Sequence, residues 1–324
     1  MKLDILSIGD CTIDVFLTLV EGNVQCSIDK NYCQICFNYG DKIPVREVIQ
    51  IPGTGNAANL AIGASRLGLK SGINCIIGNK TVGEAIINNF KNEKVNIKYL
   101  IKDLKSPTNY SAILNYKGER TIFSHHEDRH YHLPKIIIPP KWIYLTSVGH
   151  GYENLYQKVV KYCQTHNVKL GFNPGTLQIR NGLSKIKNVI DQSQVILVNK
   201  EEANMILNTS KKDIKSLLKK LFDLGPDYAV ITDGQNGAYS FDGHEFIHIP
   251  ATKTNVVERT GAGDAFSTGF ISAIIHGKNH REALVWGTMN SDEVIKFVGP
   301  QKGLLTLKKI KHKVKSCPVK VKNI

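Results

Sequence analysis

Residues 258–270 read ERTGAGDAFSTGF, and their types and order suit the transfer of an anionic group. Gly261, Ala262 and Gly263 are nearly featureless, Asp264 follows, and Phe266, Phe270, Ala273, Ile274 and Gly277 then recur near one helical face. The spacing predicts a loop that enters a helix at Asp264. The first N–H groups of a helix lack internal partners and carry partial positive charge. Glycines let a phosphate come close to them. A carboxylate there would repel a phosphate already seated, so Asp264 suits a base that takes the proton of an attacking hydroxyl. The simpler alternative is a glycine turn with Asp264 as an ordinary N-terminal helix residue.

A second glycine-rich turn enters a helix of small residues at 52–68, PGTGNAANLAIGASRLG. Asn59 lies early in that helix, where an amide offers both a donor and an acceptor to a sugar hydroxyl. Asp14, in IGDCTIDVF, follows the first apolar run and could accept from two neighbouring hydroxyls, or bond its own turn.

Short apolar runs alternate with helical patterns around these segments. Strands are expected at 5–8, 72–77, 142–145, 169–172, 195–198 and 228–231. Helices are expected at 57–67, 82–93, 153–166, 183–192 and 212–224. The alternation predicts an α/β, doubly wound, mostly parallel sheet covered on both faces, with 1–324 as a single domain. Segments 12–20, 43–51 and 109–124, the last including NYKGERTIF, lack intervening helices and predict a small β-sheet lid.

The formal net charge of +14 is carried by lysines spread along the chain, with one concentrated run, KKIKHKVKSCPVKVKNI, at the end. That run reads as a solvated helix and tail; no nucleic-acid motif accompanies it, and nucleic acid is not an expected partner. No run suits a membrane span. Seven scattered cysteines argue against a disulfide framework, place the chain in a reducing cytoplasm and leave Cys33 and Cys36 as ordinary thiols.

With VNKEEA at 198–203 and TDGQNG at 232–237, the two glycine segments form four ordered matches, and the chain resembles the ribokinase-like (PfkB) family of carbohydrate kinases. The resemblance implies an ATP-dependent kinase acting on a hydroxyl of a small sugar; a nucleoside or a sugar phosphate is the alternative acceptor. Asp264 would be the catalytic base, and Gly261, Ala262 and Gly263 would present N–H groups to the phosphoryl group. Asp14, Gly55 and Asn59 would hold the sugar. Asn199 and Glu202 would organise Mg²⁺ through water. Asn199, Thr232, Gly234, Gly237 and Asn290 would lie along the ATP. It also implies a homodimer through the lid. Glu258-Arg259 stands where the family usually has Asp-Thr, which bears on a potassium ion as a further cofactor. Asp292 and Glu293 stand where its members more often carry small residues.

Overall fold

The computed structural model describes residues 2–27, 33–78, 81–117, 119–210 and 213–324. The first half of the chain supplies β1 (Ile5–Ile8), β2 (Thr12–Leu19), β3 (Asn23–Cys26), β4 (Cys33–Cys36), β5 (Val45–Thr54), β6 (Ser71–Asn74), β7 (Ile76–Gly78), β8 (Ile101–Asp103), β9 (Asn109–Tyr116), β10 (Glu119–His125) and β11 (Trp142–Leu145). The second half supplies β12 (Lys169–Phe172), β13 (Val195–Asn199), β14 (Tyr228–Thr232), β15 (Ala238–Phe241), β16 (Phe246–Ile249) and β17 (Lys322–Asn323). The helices are α1 (Asn56–Arg66), α2 (Thr81–Asn92), α3 (Tyr152–His166), α4 (Thr176–Arg180), α5 (Leu183–Asp191), α6 (Lys200–Ile206), α7 (Ile214–Phe222), α8 (Ala262–Ile275), α9 (His280–Val294) and α10 (Leu307–Lys315).

The main sheet runs β17-β16-β15-β14-β13-β12-β11-β1-β6. From β6 to β14 neighbouring strands are parallel; β15, β16 and β17 continue it antiparallel. Side chains alternate between faces, so each parallel strand feeds two cores. Ile5, Tyr144, Val195 and Leu197 face the layer that holds Leu60, Phe270 and Trp286. Leu6, Ile143, Ile196 and Val198 face the layer that holds Val159, Ile190 and Leu217. Helices on both faces explain why these strands read as continuous apolar runs.

The expected strand at 72–77 is two strands. β6 stays in the main sheet, and after the buried Cys75 the chain turns away so that β7 pairs with β8. The helix expected from Lys212, a position outside the described residues, is α7 and starts at Ile214, capped by Asp213, whose side chain accepts from the Ser216 N–H.

A separate four-stranded sheet runs β10-β9-β2-β5. β2 pairs parallel with β9 and antiparallel with β5, and its register with β5 skips Gly53 between Thr12 and Ile13. Gly53 has a φ of 78°, so the skip is a bulge at a residue without a Cβ. Gly118, in the turn of NYKGERTIF, lies outside the described residues.

Between β2 and β5 the chain forms an exposed hairpin of β3 and β4, closed by a disulfide between Cys26 and Cys33. The expectation that Cys33 is an ordinary thiol is therefore corrected: the hairpin sets the two residues directly opposite each other. Cys36 stays free.

Candidate active site

The chemistry-bearing residues gather at the carboxyl ends of the parallel strands, where an open α/β sheet presents a crevice. Asp10 follows β1, Thr146 follows β11, Asn173 follows β12, and Asn199 and Thr232 end β13 and β14. Asn173 ties the floor together: its Nδ2 donates to the Leu197 carbonyl at 2.6 Å, and its Oδ1 accepts from Asn56 Nδ2 at 3.3 Å.

α8 enters the crevice N-terminus first. Gly261 adopts a left-handed φ of 78°, and a Cβ there would lie 2.2 Å from Pro300 Cβ, so only glycine fits. The space at Gly263 is open, with no heavy atom within 4 Å of where its Cβ would stand. The Ala262 N–H closes a turn onto the Arg259 carbonyl at 3.2 Å. The N–H groups of Gly263 and Asp264 find no acceptor among the described residues and supply the free end of the helix dipole. This corrects the expectation that Ala262 is a free donor.

Asp264 stands in the first turn of α8, and its Oδ2 accepts from Asn59 Nδ2 at 2.7 Å. Asn59 is buried and its orientation is fixed, because Gln301 Nε2 donates to its Oδ1 at 3.0 Å. Gln301 in turn is held by the Gly53 carbonyl at 2.6 Å. Burial raises the Asp264 carboxyl to about 6, against the opposing hydrogen bond from Asn59. The contact exists because α1 is built of small residues. A Cβ at Gly63 would meet Thr268 Cγ2 at 2.5 Å, so α1 and α8 touch at a distance only glycine permits.

Asp14 reaches in from β2. Burial raises it to about 6 as well, against hydrogen bonds from Thr54 and Ser111 and with repulsion from Asp264 and Glu258 adding to the rise. Gly55 caps α1 at a φ of 97°, and a Cβ there would press to 3.0 Å from the Asp10 carbonyl. Asp10 accepts from the Tyr131 hydroxyl at 2.8 Å and faces His126 at 3.4 Å; that hydrogen bond lifts the imidazole above its usual range.

Asn199 and Glu202 form a capping box at the start of α6. Asn199 Oδ1 accepts from the Glu202 N–H and Glu202 Oε2 accepts from the Asn199 N–H, each at 2.8 Å. Both line one cleft with Asn56, Thr232, Gly263 and Asp264. An adjoining groove shares Thr232 and Gly263 and continues past Gly234, Gly237, Ala251 and Asp292. Gly237 has a φ of 92°, and a Cβ there would fall 2.0 Å from the Ile249 carbonyl oxygen.

Asn290 is elsewhere. It is fully buried, its Nδ2 donates to the Ala265 carbonyl at 2.7 Å and its Oδ1 accepts from the Leu305 N–H at 2.9 Å. With both ends of its amide engaged it pins α9 to α8. The α9 residues that reach the groove are Thr288, Ser291 and Asp292. Sequence reasoning also passed over Asn56, Asn173 and Gln301. The first two carry a readable signal, a polar residue directly after a glycine turn or a buried strand. Gln301 carries none.

The alternation of β-strand and helix around one mostly parallel sheet agrees with the comparisons to known proteins. Residues 4–306 match the pfkB family carbohydrate kinase model. An ATP-dependent 6-phosphofructokinase of Thermoanaerobacterium thermosaccharolyticum is 25% identical over 311 residues, 92% of this chain and 89% of that protein. A nucleoside kinase of Methanocaldococcus jannaschii is 25% identical over 280 residues, 82% of this chain and 90% of its own. Arabidopsis thaliana ribokinase, solved with ribose and ATP, superposes with a TM-score of 0.77 at 16% identity, covering 97% of this chain and 99% of that one. The chain belongs to the pfkB family of carbohydrate kinases and is an ATP-dependent phosphotransferase.

Proposed function

We propose that the protein phosphorylates a hydroxyl of a small neutral sugar. The observation that carries this is Asp264, a carboxylate held by a fixed amide in the first turn of a helix whose free N–H groups face an open approach. The sugar lies between Asp14, Gly55 and Asn59, and the terminal phosphoryl group lies against Gly263 and the start of α8. Asp264 takes the proton of the attacking hydroxyl, and the helix N-terminus stabilises the charge that develops on the phosphoryl oxygens. The small sheet closes over the sugar as a lid and excludes water.

A neutral acceptor fits better than a sugar phosphate. Asp10, Asp14 and Asp264 are acceptors for hydroxyls, whereas three nearby cations are engaged: His126 with Asp10, Arg120 with Glu258, and the buried Arg129 with Asp103 and the Pro107 carbonyl. Arg259 is exposed and forms no ion pair with the described residues.

The site fits Mg²⁺. Glu202 keeps Oε1 free of its capping bond, burial and the Asp264 charge raise its carboxyl, and a divalent cation held there would offset that charge. Mg²⁺ retains several waters, so Asn199 and Glu202 would hold it through them; bound there it would offset charge on the ATP phosphates. The residues at Glu258 do not fit a potassium ion. Its Oε1 accepts from the Thr260 N–H at 2.6 Å and from the Thr260 hydroxyl, its Oε2 faces the Gly299 N–H at 3.4 Å, and the Arg120 guanidinium stands 3.9 Å away and already supplies positive charge.

Two copies pair through the small sheet, where Val48, Tyr110, Ile122 and Phe123 are exposed. We place the protein in the cytoplasm, where ATP is supplied; no helix among the described residues is long and apolar enough to cross a membrane. The deciding experiment is a coupled assay with ATP and Mg²⁺ against ribose, fructose, 2-keto-3-deoxygluconate, adenosine, cytidine and fructose 6-phosphate. Turnover confined to the nucleosides or to the sugar phosphate would overturn the neutral-sugar reading.

A further inference from the structure

Among the described residues, Asp292 is the only charged side chain on the wall of the groove that runs from Thr232 and Gly263 to α9. The rest of the wall is small, apolar or hydroxylic, including Ala238, Ala251, Phe266 and Thr288. The Thr252 hydroxyl donates to Asp292 Oδ2, which fixes the carboxylate, while Oδ1 has no partner among the described residues. The neighbouring lysines do not neutralise it by contact: Lys296 and Lys313 pair with Glu293 at 2.9 and 2.8 Å.

A polyphosphate and a carboxylate with no cation in contact repel each other, so a nucleotide in this groove keeps its phosphates at the Gly263 end and turns another part toward Asp292. A carboxylate only accepts hydrogen bonds. Adenine offers it an amino group flanked on either side by a ring nitrogen lone pair, N1 or N7, which opposes the carboxylate oxygens. Guanine offers two adjacent donors, N1–H and the N2 amino group, that match one carboxylate. We propose that Asp292 reads this edge of the base, so that the enzyme takes guanosine triphosphate as a phosphoryl donor alongside ATP. The assignment rests on the proposed kinase reading, with ATP lying along Thr232, Gly234 and Gly237 in this groove.

The test is equilibrium binding of Mg²⁺ complexes of ATP, GTP, ITP and 2′-deoxy-ATP to the full chain and to three variants. ITP keeps N1–H and lacks the N2 amino group. The native protein is expected to bind GTP about ten-fold more tightly than ITP, the step typical of one charge-assisted hydrogen bond. Asp292→Asn keeps the size and the Thr252 contact, and it should weaken GTP about ten-fold while ATP changes by less than about two-fold; Asp292→Ala should do the same. An unchanged GTP-to-ATP ratio in both variants overturns the proposal. So does a result in which the variants lose only the preference for ATP over 2′-deoxy-ATP, because the carboxylate would then face the ribose. Ala251→Trp fills the groove and should weaken all four nucleotides together. If it leaves all four unchanged, the nucleotide lies elsewhere and the groove reading itself fails; if it weakens all four while the Asp292 variants keep the native ratio, only the Asp292 assignment fails.

Discussion

Asp264→Asn separates catalysis from stability. Gln301 fixes Asn59 with its amide N–H toward residue 264, so the new asparagine must turn its oxygen to Asn59. Its NH₂ group then points at the acceptor hydroxyl, a donor where an acceptor is needed. General-base catalysis contributes about 10²–10⁴-fold, and the reversed polarity places the loss toward the upper end. We expect kcat to fall about 10³–10⁴-fold, or about 4–5.5 kcal/mol of barrier, with nucleotide affinity little changed. Stability moves the other way. The Asp264 carboxyl is raised from 3.8 to about 6 in the folded state. The folded protein therefore binds more protons than the unfolded chain between those values, and stability falls as pH rises through that window. The full displacement corresponds to about 3 kcal/mol as an upper bound. The asparagine variant lacks this loss, so above pH 6 it should melt a few degrees higher than the native protein. Stopped assays and thermal melts at pH 5 and pH 7.5 measure both. Near-native turnover refutes the assignment of the base; a lower melting temperature at both pH values would show that the acid is a structural strut.

Native turnover should fall below pH 6 as Asp264 takes up its proton, and a pH–rate profile flat down to pH 5 would contradict that. Gln301→Leu releases the Asn59 amide, and kcat should drop about ten-fold through lost orientation; unchanged kinetics would show that Asn59 needs no support. Gly63→Val drives a side chain into Thr268 and should cost about 1–3 kcal/mol in a denaturant titration. Rates in potassium and sodium salts should agree within about two-fold, because Arg120 accompanies Glu258, and a strict potassium requirement would refute that reading.

The sequence is legible where one segment carries a whole signal. Buried parallel strands show as apolar runs because both faces are covered, and 261–264 shows as a helix entry because glycine, small residue, glycine and acid have few other uses together. It is illegible where meaning depends on what arrives from elsewhere. Asn290 is polar and sits on the expected element, yet the Ala265 carbonyl and the Leu305 N–H meet it and make it structural. Asp292, two residues on, turns into the groove instead. Local pattern cannot separate residues two apart on one helix without knowing where its neighbours lie. Cys26 and Cys33 mislead for a related reason: counting cysteines ignores a hairpin that sets two of them opposite each other.

The bond between Asn59 and Asp264 joins residues 205 positions apart. At a ribosomal pace of about 5–20 residues per second, roughly 10–40 s separate the appearance of the two partners. During that interval α1 has left the peptidyl-transferase centre with its narrow alanine and glycine face uncovered, and the nascent chain depends on keeping that face from meeting another chain. Activity therefore requires translation through residue 264, since a polypeptide released between residues 232 and 264 has every strand of the parallel array and no base.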